Sequence, residues 1–136
     1  SVPHVRMPDY LALADFALTP VKPVPTKRYC TPIKDGEYWA MGLPVVITRD
    51  ISDDSDIIAA NAAGAVIATL DGMGYEAAAD AVARILETRP RPELCAAIRA
   101  LAIRHRSYTL AEEVYVALYD PRQDGPLNAH FRFPAS

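Results

Sequence analysis

The sequence predicts an α/β protein built on a parallel sheet of about three to four strands, with flanking helices and further helices at the C-terminal end. Three observations predict it. Short apolar, β-branched runs recur at Phe16–Thr19, Pro44–Thr48 and Ala65–Ala68, as parallel strands covered on both faces do. Between these runs, apolar residues fall at helical spacing. After the last of them come long amphipathic segments with no strand between, which places them as helices around the edge of a finished sheet.

The elements follow in order. Val2–Val5 reads as a brief extended piece, and Pro8 opens a helix to Ala14 with Tyr10, Leu11 and Ala14 at helical spacing. The strand Phe16–Thr19 is closed by Pro20. A loop from Pro20 to Cys30 then carries Pro20, Pro23 and Pro25 among Lys22, Lys27 and Arg28, and prolines lower the entropy lost when such a loop orders. Thr31 is placed to cap the next helix, with Pro32 in its first position. Gly42 falls just past the helix end, where a left-handed residue is wanted, and Pro44 blocks continuation into anything but the strand.

Asp53 reads as the cap of the following helix, with Asp54 and Asp56 in its first turn, as the helix dipole prefers. That helix is expected to run to about Ala62, with Ile57, Ile58 and Ala62 inward and Gly64 ending it. Asp71–Gly74 reads as a turn. Tyr75–Glu87 is an amphipathic helix with Tyr75, Ala79, Val82, Ile85 and Leu86 on one side. Arg89–Pro92 breaks it, and Pro92–Arg104 is a second such helix with Leu94, Ile98 and Leu101 in register. Thr109 and Glu112 form a capping box, starting a helix through Tyr119 that presents Leu110, Val114 and Leu118. Residues 1–120 form one domain and 121–136 a turn-rich tail, in which Phe131 and Phe133 alternate with Arg132 and either dock as an extended segment or stay loose.

With 136 residues, 51% of them apolar and 23% charged, the chain can bury a core as one globular domain. A net charge of −3 argues against nucleic acid as a partner, since a binder of nucleic acid shows a basic patch. No apolar run approaches the roughly 20 residues of a membrane span, and no signal-peptide pattern opens the sequence. A cytoplasmic protein, membrane-peripheral within a longer chain, is the expectation. Cys30 and Cys95 read as two buried or semi-buried free thiols in a reducing cytoplasm. His4, His105 and His130 have no second ligand nearby in sequence, so no metal site is expected.

The functional signal lies at the helix that starts near Thr31. A helix N-terminus presents unpaired N–H groups and a partial positive charge, and so attracts anions. Lys34 stands in that first turn, where its own charge is locally unfavourable, and Glu37 projects from nearly the same face one turn on. A cationic corner beside a carboxylate suits a phosphate and a pair of sugar hydroxyls. The same spacing also describes an i,i+3 surface ion pair worth about 0.3 kcal/mol. The cation-bearing loop follows the strand Phe16–Thr19, and open α/β sheets bind ligands at the carboxyl ends of their strands.

The block Lys34, Glu37, Ala40, Gly42, Pro44, Val45, Val46 reads K-x-x-E-x-x-A-x-G-x-P-V-V. With the preceding ADFALTP strand, the GAVIAT strand and the closing SYTLAEEVYVALY helix, it resembles the C-terminal, donor-binding half of a nucleotide-sugar glycosyltransferase. The type is the two-Rossmann-domain (GT-B) class, nearest the large retaining group 1 family. The resemblance implies an incomplete Rossmann-like fold and glycosyl transfer from a nucleotide-diphosphate sugar to an acceptor that the sequence does not name. The activity would be that of a longer chain, the piece alone being inactive. It implies that Glu37 holds the donor's ribose hydroxyls, that the helix start at Thr31, Ile33 and Lys34 faces the diphosphate, and that no cofactor beyond the donor is needed. It names no catalytic residue: the family's acid eight positions before Glu37 is Tyr29 here. In the strand order 3-2-1-4-5-6 the strands present would be 4, 5 and 6 with a remnant of 3. Phe16–Thr19 would then be an open edge, which predicts self-association across it or cover by the N-terminal piece. The alternative is a non-enzymatic α/β module that binds a nucleotide or a protein.

Overall fold

The computed structural model describes residues 2–119. It is an α/β fold on a three-stranded parallel sheet of order β1-β2-β3, formed by β1 (Ala17–Thr19), β2 (Val45–Thr48) and β3 (Gly64–Ile67). Ala17 pairs with Val45 and Thr19 with Ile47, while Val45 pairs with Gly64 and Thr48 with Ile67. The helices are α1 (Met7–Leu11), α2 (Ile33–Ala40), α3 (Asp54–Asn61), α4 (Gly72–Thr88), α5 (Arg91–Arg106) and α6 (Tyr108–Tyr119).

Strand alternation divides the core in two. One sheet face turns Ala17, Val45 and Ile47 toward Trp39 of α2, Ile58 of α3, and Leu94, Ile98 and Leu101 of α5. The other turns Val46, Ala65 and Ile67 toward Ala78 and Val82 of α4. Helices on both faces of a parallel sheet give the doubly wound arrangement. The predicted break after α2 is present: Gly42 has φ 77° and its N–H reaches the Trp39 carbonyl at 2.9 Å. A Cβ there would stand 2.9 Å from Cys95 of α5, so the glycine also sets how closely α5 packs.

Several local expectations are corrected. Thr31 does not cap α2. The helix begins at Ile33 after an extended Pro32, and Thr31 Oγ1 lies 3.0 Å from Ser52 Oγ instead. Asp53 precedes α3 in right-handed helical conformation without bonding an amide of the first turn, because its carboxylate is engaged by Ser52 and Arg106. Ala62, not Gly64, takes the left-handed position after α3, with φ 49°, and is exposed rather than inward. Gly64 opens β3 at φ 147°, where a side chain would run into the backbone of Val45. Asp71–Gly74 is the start of α4 rather than a turn, since the Asp71 carboxylate accepts the Gly74 N–H at 2.8 Å and caps it. The inward positions of α4 are accordingly Gly74, Ala78 and Val82, and Tyr75 and Ala79 point outward.

The N-terminal piece is not extended: His4–Arg6 is a 3₁₀ turn leading into α1, which ends at Leu11. Within the proline-rich loop, Pro25–Tyr29 forms another 3₁₀ turn. Cys30, which follows it, is exposed rather than buried or semi-buried. The start of α6 is held by Ser107, whose Oγ accepts the Thr109 N–H at 3.3 Å. This places Thr109 inside the helix and replaces the expected capping box. Leu110 and Val114 stay exposed, and α6 buries none of its residues. The expected tail, with Phe131, Arg132 and Phe133, lies outside the described residues.

Among the described residues, β1 is paired on one side only. Leu18 shares a sheet face with Val46, yet Val46 is buried beneath α4 while Leu18 is 50% exposed.

Candidate functional site at the strand ends

The site is built where β1 and β2 end and α2 and α3 begin. Thr19, the last residue of β1, donates from Oγ1 to Asp35 Oδ1 at 2.6 Å. Asp35 is the third residue of α2, and four residues on, on the same helix face, Trp39 enters the core. Asp54 opens α3. Asp35 and Asp54 are both 0% exposed.

Arg106 closes the group from the last position of α5. Its Nη2 bonds Asp54 Oδ1 and reaches Asp53 Oδ1 at 3.0 Å, and its Nη1 donates to the His105 carbonyl at 2.8 Å. The guanidinium carbon sits 5.4 Å from the Trp39 ring centroid, a cation–π distance. Ser52 Oγ donates to Asp53 Oδ1 at 2.8 Å, which links the cluster to Thr31 at the rim. The Ser52 N–H reaches the Lys27 carbonyl at 3.1 Å, and Arg28 pairs with Asp50 at 3.0 Å, so the two loops that follow β1 and β2 are tied together.

These contacts set the carboxyl groups apart. Burial pushes Asp35 above the ordinary aspartate value, against the Thr19 and Asp54 bonds and the Arg106 charge. Burial pushes Asp54 up to about 7, with Arg106 opposing and Asp35 adding to the rise. Burial acts on Asp53 too, but there the Ser52 and Arg106 bonds outweigh it and hold the carboxyl below its usual range.

The residues singled out from the sequence lie outside this buried group. Thr31 is exposed at the rim, Ile33 is 81% exposed and Lys34 is exposed. Lys34 and Glu37 occupy the outer side of α2, opposite the Asp35–Trp39 face. Among the described residues they form no ion pair with each other; Glu37 Oε1 lies 3.6 Å from His4 Nε2 instead. Among the described residues no side chain caps α2; the Asp35 amide donates to the Pro32 carbonyl at 3.1 Å, which leaves those of Ile33 and Lys34 for a ligand. An anion at that turn, with Lys34 beside it, is the chemistry the exposed part supports.

Sequence reasoning missed Thr19, Asp35, Asp54 and Arg106 as one group. The available signal was Asp35 and Trp39 at i,i+4 spacing, on the face away from Lys34 and Glu37. Elsewhere, a cavity of about 300 Å³ between Asp15, Leu86, Arg89, Arg91 and Leu94 lies at the opposite end of β1. Arg91 is already paired with Asp15 at 2.5 Å, and Arg89 with the Ala62 carbonyl at 3.3 Å. Among the described residues there is no cluster of histidine, cysteine and carboxylate groups arranged to hold a metal, and no helix long and apolar enough to cross a membrane. Comparison with protein-family models, with curated proteins and with solved structures returns no match for this chain.

Proposed function

We propose that the exposed start of α2, at the ends of β1 and β2, binds the nucleoside diphosphate of a nucleotide sugar, and that the chain is the donor-binding part of a glycosyltransferase. The observation that carries the reading is the uncapped first turn of α2, with exposed Lys34 in it and exposed Glu37 one turn on, inside the K-x-x-E-x-x-A-x-G-x-P frame. Open amides and a lysine offset charge that develops on a departing diphosphate. A carboxylate accepts hydrogen bonds from two neighbouring ribose hydroxyls. The inward anchor at Asp35 keeps this turn in place. Tyr29 stands 89% exposed where the resembled family has an acid, which favours, as a second reading, a module that binds the nucleotide without transferring a sugar.

Calorimetric titration with UDP and GDP tests the reading. Binding of at least one is expected, weakened about tenfold or more by Glu37→Ala, as for loss of a hydrogen bond to a charged group. Lys34→Ala should weaken it by a similar factor at low salt and by less at high salt. The proposal fails if neither nucleotide binds at about 1 mM, a weak affinity by any scale, or if both variants bind as the parent does.

The proposal includes a second copy of the chain as partner across the edge Phe16–Thr19. Successive residues of an edge strand point their N–H and C=O groups alternately inward and outward, and the apolar Leu18 side chain is half bare beside them. Sedimentation should show a concentration-dependent dimer, and Leu18→Lys should weaken it by about tenfold or more, as charges on edge strands do. A strict monomer for the parent at about 100 µM would rule it out.

A further inference from the structure

Two completely buried carboxyl groups lie at the strand ends, Asp54 bonded by Arg106 and Asp35 within reach of its charge. Asp35 Oδ1 accepts from Thr19 and Asp54 Oδ1 from Arg106, but Oδ2 of each has no partner among the described residues. The two carboxyl groups are neighbours in the buried cluster, each acting on the other's titration. Two bare carboxylates cannot bond one another, and an unsatisfied buried oxygen is costly. One proton between them turns both orphaned oxygens into a donor and an acceptor. It also makes the buried set of Asp35, Asp54 and Arg106 electrically neutral, whereas without it the set carries a net negative charge.

We propose that Asp35 and Asp54 share one proton at neutral pH, and that this proton pins α2, α3 and the end of α5 together, so that raising the pH loosens the starts of α2 and α3 at the strand ends.

The charged groups that reach the pair are Arg106 from α5 and Asp53 from the turn before α3. β1 contributes only the Thr19 hydroxyl, and α2 contributes the Trp39 ring beneath the guanidinium. His105 meets Arg106 through its backbone carbonyl. Lys34 and Asp56, the other charged residues of the two helix starts, are exposed. Asp53 is exposed and held ionised by Ser52 and Arg106, so it does not compete for the proton.

The sign follows from linkage. Asp35 and Asp54 both titrate higher in the folded chain than the ordinary value of 3.8, Asp54 at about 7. Their contribution is therefore complete below about pH 4 and is lost as the pH rises through about 7. Asp53, lowered, works in the opposite sense, and only in the acid range where it protonates.

The test uses the full chain with no nucleotide, so its outcome is independent of the donor-binding reading. Aspartate side-chain carboxyl carbons are followed by NMR from about pH 3 to 9, and urea unfolding is measured at about pH 5, 6, 7 and 8. The expected result is a coupled pair of aspartates with one midpoint near 7. The unfolding equilibrium constant should rise by up to about tenfold per pH unit between about pH 5 and 7, the slope of one proton. Asp54→Asn, whose amide donates to Asp35 without a titrating proton, should flatten that slope, and Asp53→Asn should leave it unchanged. The proposal is overturned if every aspartate titrates below about pH 5, or if the parent's slope is as flat as that of Asp54→Asn. If Asp54→Asn does not fold, the parent's NMR titration decides alone.

Discussion

Replacing Arg106 by alanine should destabilise the protein by about 3–5 kcal/mol, the cost of leaving a buried charge without its partner. Arg106 is the only cation in contact with the buried Asp54 among the described residues, and it also covers the Trp39 ring. With a urea dependence of about 1–3 kcal/mol per molar, the unfolding midpoint should fall by about 2 M. A domain with about 5–15 kcal/mol in all then stands near the edge of folding. Arg106→Lys should recover little, because one ammonium cannot bond Asp53 and Asp54 together and also lie flat on an indole. Arg106→Met combined with Asp54→Asn removes both charges at once and should recover part of the loss. An Arg106→Ala protein within about 1 kcal/mol of the parent would show that Asp54 is neutral and indifferent to its neighbour.

The legible and illegible parts of the molecule divide along one physical line. The strands, α5 and the break at Gly42 were readable because each is a local pattern: a β-branched run, a 3.6-residue apolar stripe, a glycine before a proline. The fold class follows from those patterns alone. The buried cluster was not readable, because its parts are harmless taken one at a time. Asp54 in a first turn looks like a dipole partner, and Asp35 beside Lys34 looks like surface. Aspartate is almost never fully buried unless paired, and the partner that makes burial possible, Arg106, lies 52 residues from Asp54 in the chain. The same reason explains the misplaced caps. Thr31 and Asp53 are good cap residues by type, but each spends its oxygen on Ser52 or Arg106, contacts set by packing rather than by neighbours in sequence.

Trp39 is where the two classes of residue meet, and Trp39→Ala should have an effect as large as the loss of Arg106. The side chain is fully buried among Val45, Ile47, Leu94 and Ile98. Truncation to alanine therefore costs lost apolar burial plus the cavity left behind, about 3–5 kcal/mol. In a domain of this size that is a fall in melting temperature of about 10–20 °C, measurable by far-UV circular dichroism. Trp39→Phe separates the causes. It keeps an aromatic face under Arg106 and removes an indole N–H that has no partner among the described residues, so a cost of only about 1 kcal/mol is expected. If phenylalanine were as damaging as alanine, the indole N–H would have to be bonded, and the volume of the ring would not explain its place in the core. If the losses of Trp39→Ala and Arg106→Ala simply add, the guanidinium gains nothing from the ring. Combined losses smaller than the sum would show that the ring and the ion pair hold the start of α2 as one unit.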